Sequence, residues 1–352
     1  MRPTIHPYVC LEFVHEKTGV AFDARYYSDD EHRRQMDTRI NGALRAWAAE
    51  HWPSQAGAWA ADPPYAIGVG AAYVIVAALF GAGIRYYDNF HPDASSEPLA
   101  ALTDPGQVRV PDPASTWPLS EYIERYEKLA ARYGKEKVTL PGFEFGSVMD
   151  PSLHGLVMHS PLTTAYKLRG SQLFIDMAER PDIARRLFDA VRDAYYRVCD
   201  LMIELLGLRT DVIFFGACAS SWVSPELWKA WELPAISEIA NRYRAGIVLH
   251  SCGRSTHVLE AFAGLPRLIE LHLGDRTDLA AARRLFPRQG FYIVPDSVAW
   301  ARDPPEKTIG SLRAMTAAAS SGPLAFQFVL EAGIPDPAVE AIVRSVEGSV
   351  EA

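Results

Sequence analysis

The chain has 352 residues, 49% of them hydrophobic and 22% charged, which is the balance of a globular protein and excludes wholesale disorder or a low-complexity architecture. A formal net charge of −8 argues against a phosphate backbone as the main partner, because that requires an excess of clustered cations, and nucleic acid drops out. Four cysteines, Cys10, Cys199, Cys218 and Cys252, are too few and too scattered for a disulfide framework and fit a reducing, cytoplasmic setting.

Met1 to Pro7 lacks the apolar core of a signal peptide, so export is not expected. Ser28-Asp29-Asp30 opens a polar helix running toward Trp47, and Trp52 to Gly57 reads as a loop, so residues 1–60 are expected to form an N-terminal helical extension, a cap over the rest. The uncharged stretch Ala66 to Ile84 is long enough on paper to span a bilayer. Glycines interrupt it, charged chain flanks it and no second such segment exists, so it reads as a core helix and no membrane association is expected. The proline-rich stretch His91 to Trp117 is irregular.

From about Tyr65 onward, short β-branched or aromatic runs alternate with helical patterns, the signature of repeated strand–helix units. Strands are expected at 137–140, 211–215, 246–250, 268–271, 291–294 and 324–329. The clearest helix runs from Pro181 to Leu206, with apolar residues at three- and four-residue steps and Gly207 as its stop. A second begins at Pro225 with Ser224 as its cap and runs to Arg242; a third, Leu279 to Phe286, is capped by Asp278. No glycine-rich phosphate fingerprint follows an early strand. Together with the succession of strand–helix pairs this favours a closed (β/α) barrel, an α/β fold, over a doubly wound open sheet, which stays as the alternative; the barrel is expected in residues 61–352 and the whole chain as one domain.

Chemistry concentrates at Leu249-His250-Ser251-Cys252-Gly253. Residues two apart on an extended backbone point to one face, so the His250 imidazole and the Cys252 thiolate can converge on one cation, and sulfur plus nitrogen suits zinc. The residues alone leave a second reading open, a buried histidine beside a small apolar cysteine. Cys218 follows another expected strand and is either a further ligand or a packing residue; Cys10 and Cys199 read as packing residues. His159, just before Ser160-Pro161, and His272, at the end of the strand 268–271, are candidate catalytic groups in the pocket wall that could bind or protonate a substrate, and Asp296, after the strand 291–294, could orient a ligand or substrate.

The run Trp222-Val223-Ser224-Pro225-Glu226-Leu227-Trp228, then Arg244-Ala245-Gly246 leading into Ile247 to Thr256, resembles the uroporphyrinogen decarboxylase-like superfamily, and within it the zinc-dependent, corrinoid-linked methyltransferases. Ser160 to Gly170, with Pro181 soon after, is similar to the segment before that family's long central helix. The resemblance implies a (β/α)8 barrel, zinc bound by His250 and Cys252, and substrate contacts from Tyr166 and Arg169 in the matching segment. Related thiol methyltransferases complete the zinc site with a cysteine near the C-terminus. Here that turn reads Val329-Leu330-Glu331-Ala332-Gly333-Ile334-Pro335, so Glu331 is the expected third ligand.

The implied activity is methyl transfer between a small methylated substrate and a corrinoid (methylcobalamin) carried by a separate protein, since nothing in the chain looks like a corrinoid-binding domain. An oxygen ligand in place of sulfur gives a less electron-rich site and favours demethylation of an O-, N- or S-methyl compound. A homodimer is compatible with the sequence. The alternatives are a tetrapyrrole decarboxylase, disfavoured because only Arg2-Pro3 remains of that family's N-terminal arginine signature, and a non-catalytic ligand-binding barrel.

Overall fold

A computed structural model describes residues 3–319 and 322–347. Eight strands form one sheet: β1 (Thr4–Val9), β2 (Glu144–Gly146), β3 (His154–His159), β4 (Val212–Gly216), β5 (Gly246–Ser251), β6 (Leu268–Gly274), β7 (Gly290–Val294) and β8 (Leu324–Leu330). Their order is β1-β8-β7-β6-β5-β4-β3-β2, and every neighbouring pair is parallel except β2 with β3. No pairing joins β1 to β2 among the described residues. Side chains nevertheless meet across the sheet. Phe145 on β2 lies 6.3 Å, ring centre to ring centre, from His272 on β6, and Ser147 just after β2 donates to Glu270 on β6 at 2.6 Å. Strands four places apart can touch in this way only if the sheet curls around an interior.

Helices cover the outside. They include α1 (Asp30–His51), α2 (Ala72–Leu79), α3 (Leu119–Tyr133), α4 (Pro161–Arg169), α5 (Gln172–Glu179), α6 (Pro181–Leu206), α7 (Leu233–Tyr243), α8 (Leu279–Leu285) and α9 (Asp336–Glu347). The expected span of α6 matches. Ile183, Leu187, Val191, Ala194, Val198 and Met202 bury one stripe of it, and Gly207, at φ 67°, turns the chain with its N–H on the Ile203 carbonyl. The expected helix from Pro225 is helical as far as Tyr243 but contains a widened turn over Trp228–Glu232. Ser224 caps it, accepting from Leu227 N–H at 3.3 Å.

Two expectations are corrected. The first sixty residues are not purely a helical cap, because Thr4–Val9 is a full strand of the sheet. Pro7 is tolerated there because, among the described residues, β1 pairs only with β8 and its other side has no partner that would need a donor. The run 137–140 contributes only Val138–Thr139, which pairs with Tyr65–Ala66 outside the main sheet. The apolar stretch after Ala66 folds as the short buried helix α2, and no described helix is long and apolar enough to cross a membrane.

Candidate metal centre

Strands β4 and β5 lie side by side with Gly216 opposite His250 in register, and the Ala217 N–H donates to the His250 carbonyl at 2.7 Å. Cys218 opens a short 3₁₀ turn that runs to Trp222, and Cys252 follows the end of β5. The Cys218 and Cys252 sulfurs are 3.3 Å apart. One ligand atom from each of Cys218, His250 and Cys252 lies within 4.8 Å of the others, so the second-strand cysteine joins the His-x-Cys pair.

Why the backbone permits this is visible at two glycines. A Cβ on Gly274, the last residue of β6, would overlap the Cys252 carbonyl oxygen, so β6 can end beside the cysteine turn only if that position is bare. Gly253 would place a Cβ 2.9 Å from the Ser221 side chain; its role is close approach and not a left-handed turn. Further ties hold the turn: Ser251 and Ser255 share a hydroxyl hydrogen bond at 2.6 Å, and Thr277 accepts from Ser255 N–H at 3.1 Å. On the Cys218 side, Ala219 N–H donates to Thr163 Oγ1 at 3.3 Å and Trp228 Nε1 donates to Ser220 Oγ at 2.9 Å.

The electrostatics favour one thiolate. The hydrogen bond with Cys218, followed by the influence of His250, outweighs burial and pulls the Cys252 thiol down to about 4. The same hydrogen bond, together with burial, pushes the Cys218 thiol up.

Histidines line the neighbouring strands. His159 ends β3, where burial, aided by the His250 and Lys167 charges, lowers its imidazole to about 3; Tyr73 packs edge-on to it at 4.3 Å. His272 stands opposite His250 in register, with ring centres 5.7 Å apart, and its Nε2 meets Glu270 Oε1 at 2.7 Å. Glu270 also accepts from Ser147 Oγ and, at 3.4 Å, from Met149 N–H. Burial opposes ionisation of Glu270, yet these donors hold its carboxyl below the ordinary value, so Nε2 of His272 carries the proton in their bond. Sequence reasoning missed Glu270, although a carboxylate two residues before a histidine on one strand face was a readable signal.

Other candidate residues serve elsewhere. Glu331 does not join the group of three; its carboxylate accepts from Ser297 Oγ at 2.6 Å. Asp296 caps the short helix after β7, accepting from Val298 and Ala299 N–H at 3.1 and 3.3 Å, and pairs with Arg276 at 3.4 Å. Arg169 is wholly buried and bonded within the protein, to Asp176 at 2.8 Å and to the Leu99 and Ala100 carbonyls at 2.7 Å. Tyr166 is half-buried against Trp222, with ring centres 4.9 Å apart, and with Lys167 borders a cavity of about 510 Å³. A second cavity, about 340 Å³, opens between α6 and α7 beside Trp231 and contains none of the three donors. Cys10 and Cys199 are buried, as expected of packing residues.

No protein-family model and no curated protein matches the chain. Among solved structures, it is similar to a methyltransferase from Methanosarcina mazei at 14% identity and a TM-score of 0.65, an alignment that covers 99% of this chain and 93% of that one. The likeness establishes a shared fold along nearly the whole length.

Proposed function

We propose that this chain is a zinc-dependent methyltransferase of the uroporphyrinogen decarboxylase-like superfamily, built as one (β/α)8 barrel, which demethylates a small methylated substrate onto a corrinoid carried by a separate protein. The observation that carries the reading is the convergence of Cys218, His250 and Cys252 at the carboxyl ends of adjacent strands, where such folds place their chemistry. The donor set fits the ion: two sulfurs and one imidazole nitrogen are soft-to-borderline ligands, and three protein donors is the number found at catalytic zinc sites. The fold shared with a methyltransferase supports the reaction class.

When bound, zinc supplies Lewis acidity to the heteroatom that bears the methyl group, making it a better leaving group. The chain's own residues do the rest. Cys252, its thiol already held low, enters the site as a thiolate without a costly proton loss. His159 is neutral at physiological pH and presents an imidazole beside Tyr73 that can hydrogen-bond a substrate without adding charge. Glu270 fixes the tautomer of His272, which leaves Nδ1 to take or return a proton. The test is elemental analysis followed by transfer of the methyl group from a panel of methyl ethers, thioethers and methylamines to reduced cobalamin. Zinc at one per chain and transfer abolished by chelation are the expected results. Full activity in metal-free protein overturns the reading.

A further inference from the structure

We infer that Cys218 and Cys252 are also a reversible dithiol–disulfide pair, so that the sulfurs proposed to hold the metal double as a redox switch for the site. The geometry is that of a bridge waiting to close. Both cysteines lie two residues beyond the registered pair Gly216 and His250, on parallel strands tied by the Ala217 to His250 hydrogen bond. Their sulfurs are 3.3 Å apart, so closing to the disulfide length of about 2.0 Å is an approach of about 1.3 Å. Cys252 is exposed and Cys218 half-buried, so an oxidant reaches one sulfur while the other stands behind it as the resolving thiol. Cys10 and Cys199 are buried, which makes them internal references.

With a peroxide as oxidant the steps balance. The Cys252 sulfur attacks one peroxide oxygen and the O–O bond breaks, leaving a sulfenic acid and water. The Cys218 sulfur then attacks the sulfenic sulfur, the S–S bond forms, the S–O bond breaks, and the departing hydroxide leaves as water with the Cys218 proton. Two thiols lose two electrons and one peroxide gains them. A dithiol reductant reverses the change. Once bridged, neither sulfur can ligate a cation as thiolate, so oxidation releases the metal and bound metal slows oxidation; this consequence, unlike the bridge itself, rests on the zinc reading.

The experiment treats full-length, reduced protein with hydrogen peroxide, before and after zinc removal by chelation. It counts thiols under denaturing conditions, maps peptides without reduction and measures zinc release with a chromogenic chelator. Two of the four thiols should disappear, with Cys218 and Cys252 peptides joined, the mass of two hydrogens lost and full recovery on adding dithiothreitol. Cys218→Ser should instead drive Cys252 on to sulfinic or sulfonic acid. Four remaining thiols, an intermolecular bridge, or over-oxidation of Cys252 in the wild-type chain overturns the inference. Failure of the zinc reading is seen separately: the reduced protein holds no zinc, yet the Cys218–Cys252 bridge still forms.

Discussion

Replacing Cys218 by alanine removes one of the three donors of the proposed metal centre. Its sulfur sits 3.3 Å from that of Cys252 and completes a group whose ligand atoms lie within 4.8 Å of one another. Zinc bound by a four-ligand structural site is worth about 10–16 kcal/mol, or about 2.5–4 kcal/mol per ligand if shared equally, so loss of one sulfur should weaken zinc binding by about 10²–10³-fold. In the wild type Cys218 must lose its strongly held proton to ligate the ion, whereas the variant has only the Cys252 thiol to ionise, so affinity in the variant should fall no more steeply on moving from pH 8 to pH 6 than it does in the wild type. The assay is competition against a chromogenic zinc chelator at both pH values, with circular dichroism to confirm folding. Glu331→Ala, whose carboxylate is bound to Ser297, should keep wild-type affinity. If Cys218→Ala binds zinc within about threefold of wild type while Glu331→Ala loses it, the donor assignment is wrong.

Three further outcomes follow from buried groups. Burial raises the Glu232 carboxyl from its ordinary 4.5 to about 7, against its hydrogen bonds from Ser160 and Leu162 N–H. The folded chain therefore keeps this proton where the unfolded chain has lost it, so the associated stability is full below about pH 4.5 and is lost as the pH rises to 7; Glu232→Gln should gain about 3 kcal/mol more at pH 8 than at pH 4.5 in urea denaturation, and an equal effect at both would refute this. Asp176→Ala leaves the buried Arg169 guanidinium without its carboxylate and should cost about 3–5 kcal/mol in the same assay, whereas a loss below about 1 kcal/mol would show that the two carbonyls suffice. Gly274→Ala should destabilise by about 1–3 kcal/mol and weaken zinc binding, because its new Cβ meets the Cys252 carbonyl; unchanged affinity would show that the turn yields freely.

The alternation of apolar strands with amphipathic helices made β4 to β8 legible, because each carries a run of β-branched or aromatic residues followed by a helix signal. β1 was not, since His6 and Pro7 interrupt its pattern and the partner that stabilises it, β8, is more than three hundred residues away. β2 is three residues long, below the length at which periodicity can be read. At the site, His250 and Cys252 declared themselves through local spacing on one strand. Cys218 could be placed only at the same rim, because its nearness to Cys252 depends on the register of β4 with β5, which no local pattern encodes. Glu331 was favoured by analogy of position, and Arg169 by membership of a recognisable segment; the Ser297 and Asp176 partners that occupy them come from other elements or the next helix.

All three donors belong to a single strand–crossover–strand unit, with Cys218 and Cys252 separated by 34 positions. A cation held there acts as a staple across that excursion, removing closure entropy of about 3–4 kcal/mol from the unfolded ensemble if it constrains the ends as a covalent link would. Such a staple would make this unit the last to come apart on heating. If the proposed function holds, the loops on the other strands could be remodelled without disturbing this unit.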